Sequence, residues 1–432
     1  MDFLNFVKDT KTAFHAANKI ANILKENNFI ELNENEEFKL EKNKKYFFTR
    51  NNSSVIAFSI PSDINNLGFN ITAAHLDSPT FKLKPNFELN FGRYQKLNTE
   101  VYGGPIYYSW MDRPLDIAGR VLVKNGNEIE TKLIEFNKGM CIIPSLSIHY
   151  NRSANSELKL NPQEDMLPIF SDNDIEYGDL LDKIASKLKV EKDNILSYDL
   201  YLAILDRGVY LGANNEFISA PQIDNLECSY VALDSIINTN PKNGTINVMA
   251  LFDNEEIGSL TRQGADSNLL ESALERIISS FKLNRDDYYK ALASSFFISM
   301  DNAQGFHPNY PSKYDATNKC LMNEGIVIKS AARGSYSSDG YSTSIFKLIC
   351  ENANAKYQFM TNRSDIPGGG TLGAISISHV SIHSVDIGFA QIAMHSAMET
   401  SGAYDLEEMG KAIRYFYSSH LEFKNDGRVK VN

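Results

Sequence analysis

Two adjacent acids, Glu255 and Glu256, stand in Asp253-Asn254-Glu255-Glu256-Ile257-Gly258-Ser259, directly after the apolar run Thr245 to Phe252. The run is rich in β-branched residues and follows an Asn243-Gly244 turn signal, so it reads as a buried strand that carries two carboxylates to its end. Neighbouring side chains diverge at a strand end, which lets one carboxylate bind a cation while the other faces a substrate as a base. An isolated Glu-Glu pair is most often a solvated surface loop, so the weight falls on what accompanies it. The short run Gly68 to Ala74 suits a central strand and ends at His75-Leu76-Asp77. In an extended segment His75 and Asp77 share a face, where the carboxylate can fix the ring's tautomer and leave the other nitrogen for a metal. A third buried run, Phe296 to Met300, delivers Asp301; Asp224 follows Ala220-Pro221-Gln222-Ile223, and His395 lies in Met394-His395-Ser396. Five of these seven acids and imidazoles could ligate two metals, and oxygen and imidazole donors without thiolates suit zinc, cobalt or manganese. Three carboxylates and two neutral imidazoles leave two divalent ions one positive charge in excess. A bound hydroxide cancels that charge, a physical reason for such a site to deprotonate water near neutral pH. Glu255 then remains as an unligated general base.

The elements that must position these residues alternate between helix and strand. Phe6, Val7, Phe14, Ala17, Ile20, Ala21 and Leu24 predict one amphipathic helix over Phe3 to Leu24. Lys45 to Ile60 alternates as half-buried strands do, Tyr230 to Ile237 predicts a helix, and Leu270, Leu274, Ile277, Ile278 and Phe281 predict another. Strand-like Val380 to Ile387 leads through Gly388 to an expected helix carrying His395. After Pro85 the texture changes to short alternating runs such as Gly119 to Val123, Thr131 to Phe136 and Tyr201 to Tyr210, while Asn161 to Lys192 reads as an exposed loop or small helix. The expectation is an α/β catalytic domain of three layers, residues 1–88 and 220–432, with a mostly β domain, 89–219, inserted into it. At 432 residues and 43% apolar composition the chain can bury a large core. A net charge of −11 with dispersed Lys and Arg argues against nucleic acid or an anionic membrane as main partner. Cys141, Cys228, Cys320 and Cys350 form no ligand spacing, and no apolar run nears the roughly 18 residues that span a bilayer, so a soluble cytoplasmic protein with reduced thiols is expected.

The segments Ala74 to Pro79, Trp110 to Arg120, Ile143 to Arg152, Gln222 to Asn225, Asp253 to Ser259, His307-Pro308-Asn309-Tyr310, Arg363-Ser364-Asp365 and Met394 to Ser396, taken in this order, resemble the aspartyl aminopeptidase family of dinuclear zinc metallopeptidases. The resemblance covers essentially the whole chain and implies removal of N-terminal residues from peptides. It implies His75 and Asp301 as terminal ligands of one ion, Glu256 and His395 of the other, Asp224 as the bridge, Asp77 as the acid that orients His75, and Glu255 as the base. It also implies that the inserted domain dimerises, that His149 reaches a neighbouring subunit's site, and that the chain forms a dodecamer. Lys329, Gln304 and His307 fall in the segments that would line the substrate pocket. Gln304 stands where the family usually has a His, and Ala331 to Tyr336 departs from the family's motif, which bears on the preference for acidic N-terminal residues. Lys329 could pair with a substrate carboxylate or be a strand end reaching solvent. Two rival readings exist. A related dinuclear carboxypeptidase or deacylase would carry its extra domain between the last acid and the final His, whereas here the insert precedes Asp224. A non-catalytic assembly protein would be favoured by a lost base or ligand, and none is lost.

Overall fold

The centre of the computed structural model, which describes residues 2–172, 179–424 and 427–432, is a nine-stranded sheet. Its strands run in the order Phe29–Glu31, Lys45–Arg50, Ser54–Ser59, Thr245–Phe252, Gly68–His75, Phe296–Met300, His383–Gly388, Ile326–Lys329 and Tyr357–Met360. The four middle strands from Thr245–Phe252 to His383–Gly388 are mutually parallel. Strands Gly68–His75, Thr245–Phe252 and Phe296–Met300 are buried along their whole length, which is why they read as mostly apolar runs: a parallel sheet is covered on both faces. The faces separate with a period of two. Ile246, Val248, Ala250 and Phe252 join the core beneath helices Leu269–Ser280 and Arg285–Ala293, while Met249 and Leu251 join the core beneath Ala13–Glu26 and Ile223–Ile237. The result is three layers, helices on both sides of one sheet.

A second, six-stranded antiparallel sheet has the order Glu128–Glu135, Leu115–Asn125, Ile195–Ile204, Thr80–Phe91, Tyr94–Tyr102 and Ile169–Asp172. It has its own core, in which Phe81 meets Trp110 edge-on at 5.4 Å. Its strand Thr80–Phe91 carries both sides of the 88/89 division read from the sequence. The run Tyr201 to Tyr210 is divided between Ile195–Ile204 and a separate strand, Val209–Leu211. The polar stretch Asn161 to Lys192 contains the helix Leu180–Leu188, capped reciprocally by Asp179 and Asp182; its residues 173–178 lie outside the described residues. A five-stranded sheet, Val209–Leu211, Phe217–Ala220, Glu399–Gly402, Ala390–Ile392 and Ala303–Gln304, lies alongside.

Two sequence expectations are corrected. The N-terminal helix is two helices, Phe3–Lys8 and Ala13–Glu26. Between them Lys11 turns inward, its Nζ 2.8 Å from Asp116 and 3.0 Å from Glu135 of the second sheet, and Thr12 caps the second helix. His395 is not on a helix: it occupies the turn between Ala390–Ile392 and Glu399–Gly402, where Ala393 (φ 59°) and His395 (φ 66°) are left-handed. Among the described residues no helix is long and apolar enough to cross a membrane.

His15, packed beside this Lys11 junction, bears on acid stability. Burial, with Lys11 and Arg207 nearby and opposed by Glu135 and Asp116, lowers its pKa from 6.5 to about 4. The folded state therefore holds His15 neutral, and the contribution is complete above pH 6.5 and is lost as pH falls through about 4. On the order of 3 kcal/mol is at stake, at 1.36 kcal/mol per pKa unit. The thermal midpoint of His15→Gln should fall less between pH 7 and pH 4.5 than that of the wild type; parallel pH profiles would refute this.

Candidate metal centre

Parallel order brings the carboxyl ends of Gly68–His75, Thr245–Phe252 and Phe296–Met300 to one edge, the place where open α/β sheets form sites. Register does the rest. Phe252 pairs with His75, so Asp253 to Glu256 leave the sheet beside the imidazole. Ser299 pairs with Ala73, which brings Asp301, two residues on, level with His75. Asp224 comes from the start of Ile223–Ile237, where its φ of −80° and ψ of 106° are not helical. Asn225 fastens that start to the sheet by donating from Nδ2 to the Met300 carbonyl at 2.8 Å.

His75 Nε2 lies 3.4 Å from Asp224 Oδ1 and 3.7 Å from Asp301 Oδ1. His395 Nε2 lies 3.7 Å from Asp224 Oδ2 and 3.5 Å from Glu256 Oε2. The two oxygens of Asp224 thus face different imidazoles, and two triads share that one carboxylate. Donors at 2.0–2.2 Å around a tetrahedral ion stand about 3.3–3.6 Å apart, close to the 3.4–3.7 Å seen here. The donor chemistry fits as well. Asp224 Oδ1 and Glu256 Oε1 are buried and have no hydrogen-bond partner, an arrangement that is costly for a carboxylate unless a cation satisfies it. Glu255 Oε2 is 3.9 Å from His75 Nε2 and the Glu255 side chain is 18% exposed, against 5% for Glu256, so of the two neighbours Glu255 is the one with an open side.

Electrostatics carry the same signature. Burial pushes the Glu255 carboxyl up to about 8, with His75 opposing and Asp301, Asp77 and Asp224 reinforcing. Burial likewise lifts Glu256 well above the usual range, reinforced first by Asp224. Burial would lower His75, but the nearby carboxylates of Asp224, Asp301 and Asp77 raise it well above 6.5. Acids gathered this closely repel, and a divalent ion is the group that relieves them.

Both imidazoles are oriented from behind. His75 Nδ1 is 3.1 Å from the Asp77 carbonyl oxygen and 3.4 Å from Asp77 Oδ1, which turns Nε2 toward the acids. Asp77 also accepts the backbone N–H groups of Glu255 and Glu256, both at 3.1 Å. His395 Nδ1 is 3.1 Å from the Gly104 carbonyl oxygen. Sequence reasoning did not single out three participants. Tyr102 donates its hydroxyl to Asp77 Oδ2 at 2.7 Å. Gly103, at φ +69°, passes so close that a Cβ there would stand 3.1 Å from Glu256 Cβ. Glu399, 2% exposed, accepts the Asp224 N–H at 2.9 Å and the His395 N–H at 2.6 Å. The Tyr-Gly-Gly run was visible in the sequence, but nothing marked Glu399 beyond its nearness to His395.

Four expected substrate residues lie outside the triads found among the described residues. His149 is exposed in the loop after Ile143; Gln304 is exposed at the end of Ala303–Gln304; His307 is half-buried against Tyr310, ring centroids 4.9 Å apart. Lys329 does not reach solvent. It is 1% exposed, donates from Nζ to the Asp301 carbonyl at 2.7 Å, and sits 3.9 Å from Asp301 Oδ2. Burial would lower its pKa, but Asp301 and Asp386 raise it.

A model of the aminopeptidase I zinc metalloprotease family, M18, matches residues 6–417. A probable M18 family aminopeptidase 2 of Clostridium novyi is 45% identical over 424 residues, covering 96% of this chain and 98% of its own length. Among solved structures, Ape4 in complex with Nbr1 superposes with a TM-score of 0.92 at 30% identity, covering 96% of this chain and 84% of that one. The mApe1 dodecamer of S. cerevisiae gives 0.83 at 27%, covering 96% and 95%. With its strand-end cluster of carboxylates and imidazoles, the chain belongs to the M18 family of zinc aminopeptidases, the family that includes the aspartyl aminopeptidases.

Proposed function

We propose that the chain removes N-terminal residues from peptides at a two-ion centre. In this reading His75 and Asp301 hold one ion, Glu256 and His395 the other, and Asp224 bridges them. The observation that carries it is the split of Asp224, one oxygen toward each imidazole. Bound there, divalent ions, zinc by family, would polarise the scissile carbonyl and acidify the attacking water. Glu255 accepts that water's proton on its carboxylate and returns it to the departing amine nitrogen. Asp77 holds the backbone of both glutamates and the ring of His75, so the base and its neighbour keep fixed directions. A panel of aminoacyl chromogenic peptides, assayed on metal-stripped protein with and without zinc, cobalt or manganese, tests this reading. Turnover unaffected by stripping would refute it.

Lys329 would bear on the preference among N-terminal residues only through its field, because its ammonium is buried. Its charge lies beneath Asp301 and its ammonium is engaged by backbone oxygens, while Gln304 offers only a neutral donor. A modest preference for Asp or Glu, within a range that includes Leu and Met, is the reading we favour. Discrimination of four orders for Asp over Leu in kcat/KM would overturn it. Lys329→Met should flatten the acid-to-leucine ratio and, by removing charged donors from buried carbonyls, cost roughly 1.5–3 kcal/mol of stability; an unchanged ratio would remove Lys329 from the specificity argument.

The six-stranded sheet, with the 89–219 segment as its bulk, is assigned to dimerisation and His149 to a neighbour's site. The assembly of mApe1 as a dodecamer supports self-association here, as do the exposed Leu146, Ile148 and Tyr150 flanking His149. On this reading His149→Ala lowers turnover at unchanged metal content. The four buried free cysteines support a reducing, cytoplasmic setting.

A further inference from the structure

We propose that Glu399 is a positioning residue that sets the geometry of the triad Asp224, Glu256 and His395 by accepting the backbone N–H groups of two of its members. The proposal rests on the two-ion reading above and assigns a cause to the shape of one half of it. Glu399 opens the strand Glu399–Gly402 and pairs in register with Ala220, so the strand that carries it runs beside the segment leading into Asp224. Oε2 takes the Asp224 N–H at 2.9 Å and Oε1 takes the His395 N–H at 2.6 Å. Oε1 also lies 3.4 Å from Gln391 Nε2, and Gln391 Oε1 in turn accepts from Asn302 Nδ2 at 2.6 Å. One buried carboxylate therefore fixes the spacing between the shared acid and the second imidazole.

The two triads are held by different means. His75 ends a central strand and Asp301 directly follows another, so ladder register fixes their backbones. His395 stands in a left-handed turn with its side chain 32% exposed, where no ladder or helix repeat reaches. Its backbone is located by Glu399 and its ring by Gly104. A carboxylate suits this task and an amide does not: glutamine has one acceptor and one donor group, and the donor would confront an N–H. Changes to such outer partners typically cost 10- to 100-fold in metal affinity.

The test titrates zinc against a competing chelator into metal-free wild type, Glu399→Gln, Glu399→Asp and His395→Ala, with total metal per chain and thermal unfolding measured alongside. Glu399→Gln is expected to bind the ion of the Glu256 and His395 triad about 10- to 100-fold more weakly, to weaken the other, which shares only Asp224 with it, by clearly less, and to recover kcat at saturating zinc. Two wild-type affinities, or equal weakening of both, would overturn the proposal. Should Glu399→Gln not fold, Glu399→Asp, whose shorter carboxylate spans only one of the N–H groups, is expected to weaken the same ion by less; wild-type binding there would be equally fatal. His395→Ala separates the levels. If it also retains two ions at wild-type affinity, the placing of His395 among the ligands fails and with it the ligand set proposed above, whereas loss of one ion in His395→Ala with both retained in Glu399→Gln removes only the role of Glu399.

Discussion

Glu255→Gln should retain its metal and lose about 10²–10⁴ in turnover, the range that a positioned general base contributes. The amide preserves volume and leaves the backbone N–H of residue 255 on Asp77, so the ligands keep their places while the proton acceptor is gone. The loss belongs in kcat, with KM little changed, because the side chain acts on the water and the leaving amine. Metal analysis of the purified variant beside steady-state rates checks both halves. Turnover within a few-fold of wild type would exclude the role, and a variant that lost metal would make Glu255 a ligand.

Asp224→Ala should act in the opposite way. With one oxygen toward His75 and the other toward His395, its removal opens both triads at once, so metal per chain and activity fall together, the latter by at least about 10³ if both ions supply transition-state charge. Stability adds a second signature. In the metal-free chain Asp224 helps push Glu255 and Glu256 toward protonation, so deleting it removes like-charge repulsion from a desolvated cluster. The metal-free variant should melt no lower than metal-free wild type, while zinc should raise the wild-type midpoint far more than the variant's. Two ions retained by Asp224→Ala would contradict the bridge.

The sequence made strand ends legible because a buried parallel strand is a mostly apolar run, and the first polar residue after it marks where it leaves the sheet. Thr245 to Phe252, Phe296 to Met300 and Gly68 to Ala74 each announced the acid or imidazole that follows. Legibility failed where position depends on partners distant in the chain. Phe389 to Met394 has the small and apolar residues of a helix, yet its turn is held by Gly104 and Glu399, which local pattern does not encode. Glu399 acts through backbone N–H groups and so leaves no residue-type signature. Lys329 ends the run Ile326-Val327-Ile328, and a strand buried on both sides shows no alternation to say which way its last side chain turns. Lys11 lies in the gap between two helices where one was expected, and its partners Asp116 and Glu135 are at least 105 residues away in the chain, so no local pattern marks its burial.

The strand Tyr94–Tyr102 runs out into Gly103 and Gly104, which press on Glu256 and His395, and this has a consequence for biogenesis. His75, near the start of the chain, must meet His395, near its end, and the second triad needs a segment of the six-stranded sheet wedged behind it. Contacts of such sequence separation form late, since loop closure precedes any gain from them. On the two-ion reading, a chain still emerging from the ribosome lacks His395 and Glu399 and would not hold both ions. On that reading peptidase activity would arrive only with the finished fold, and the nascent chain would pass through synthesis without the capacity to cut the peptides around it.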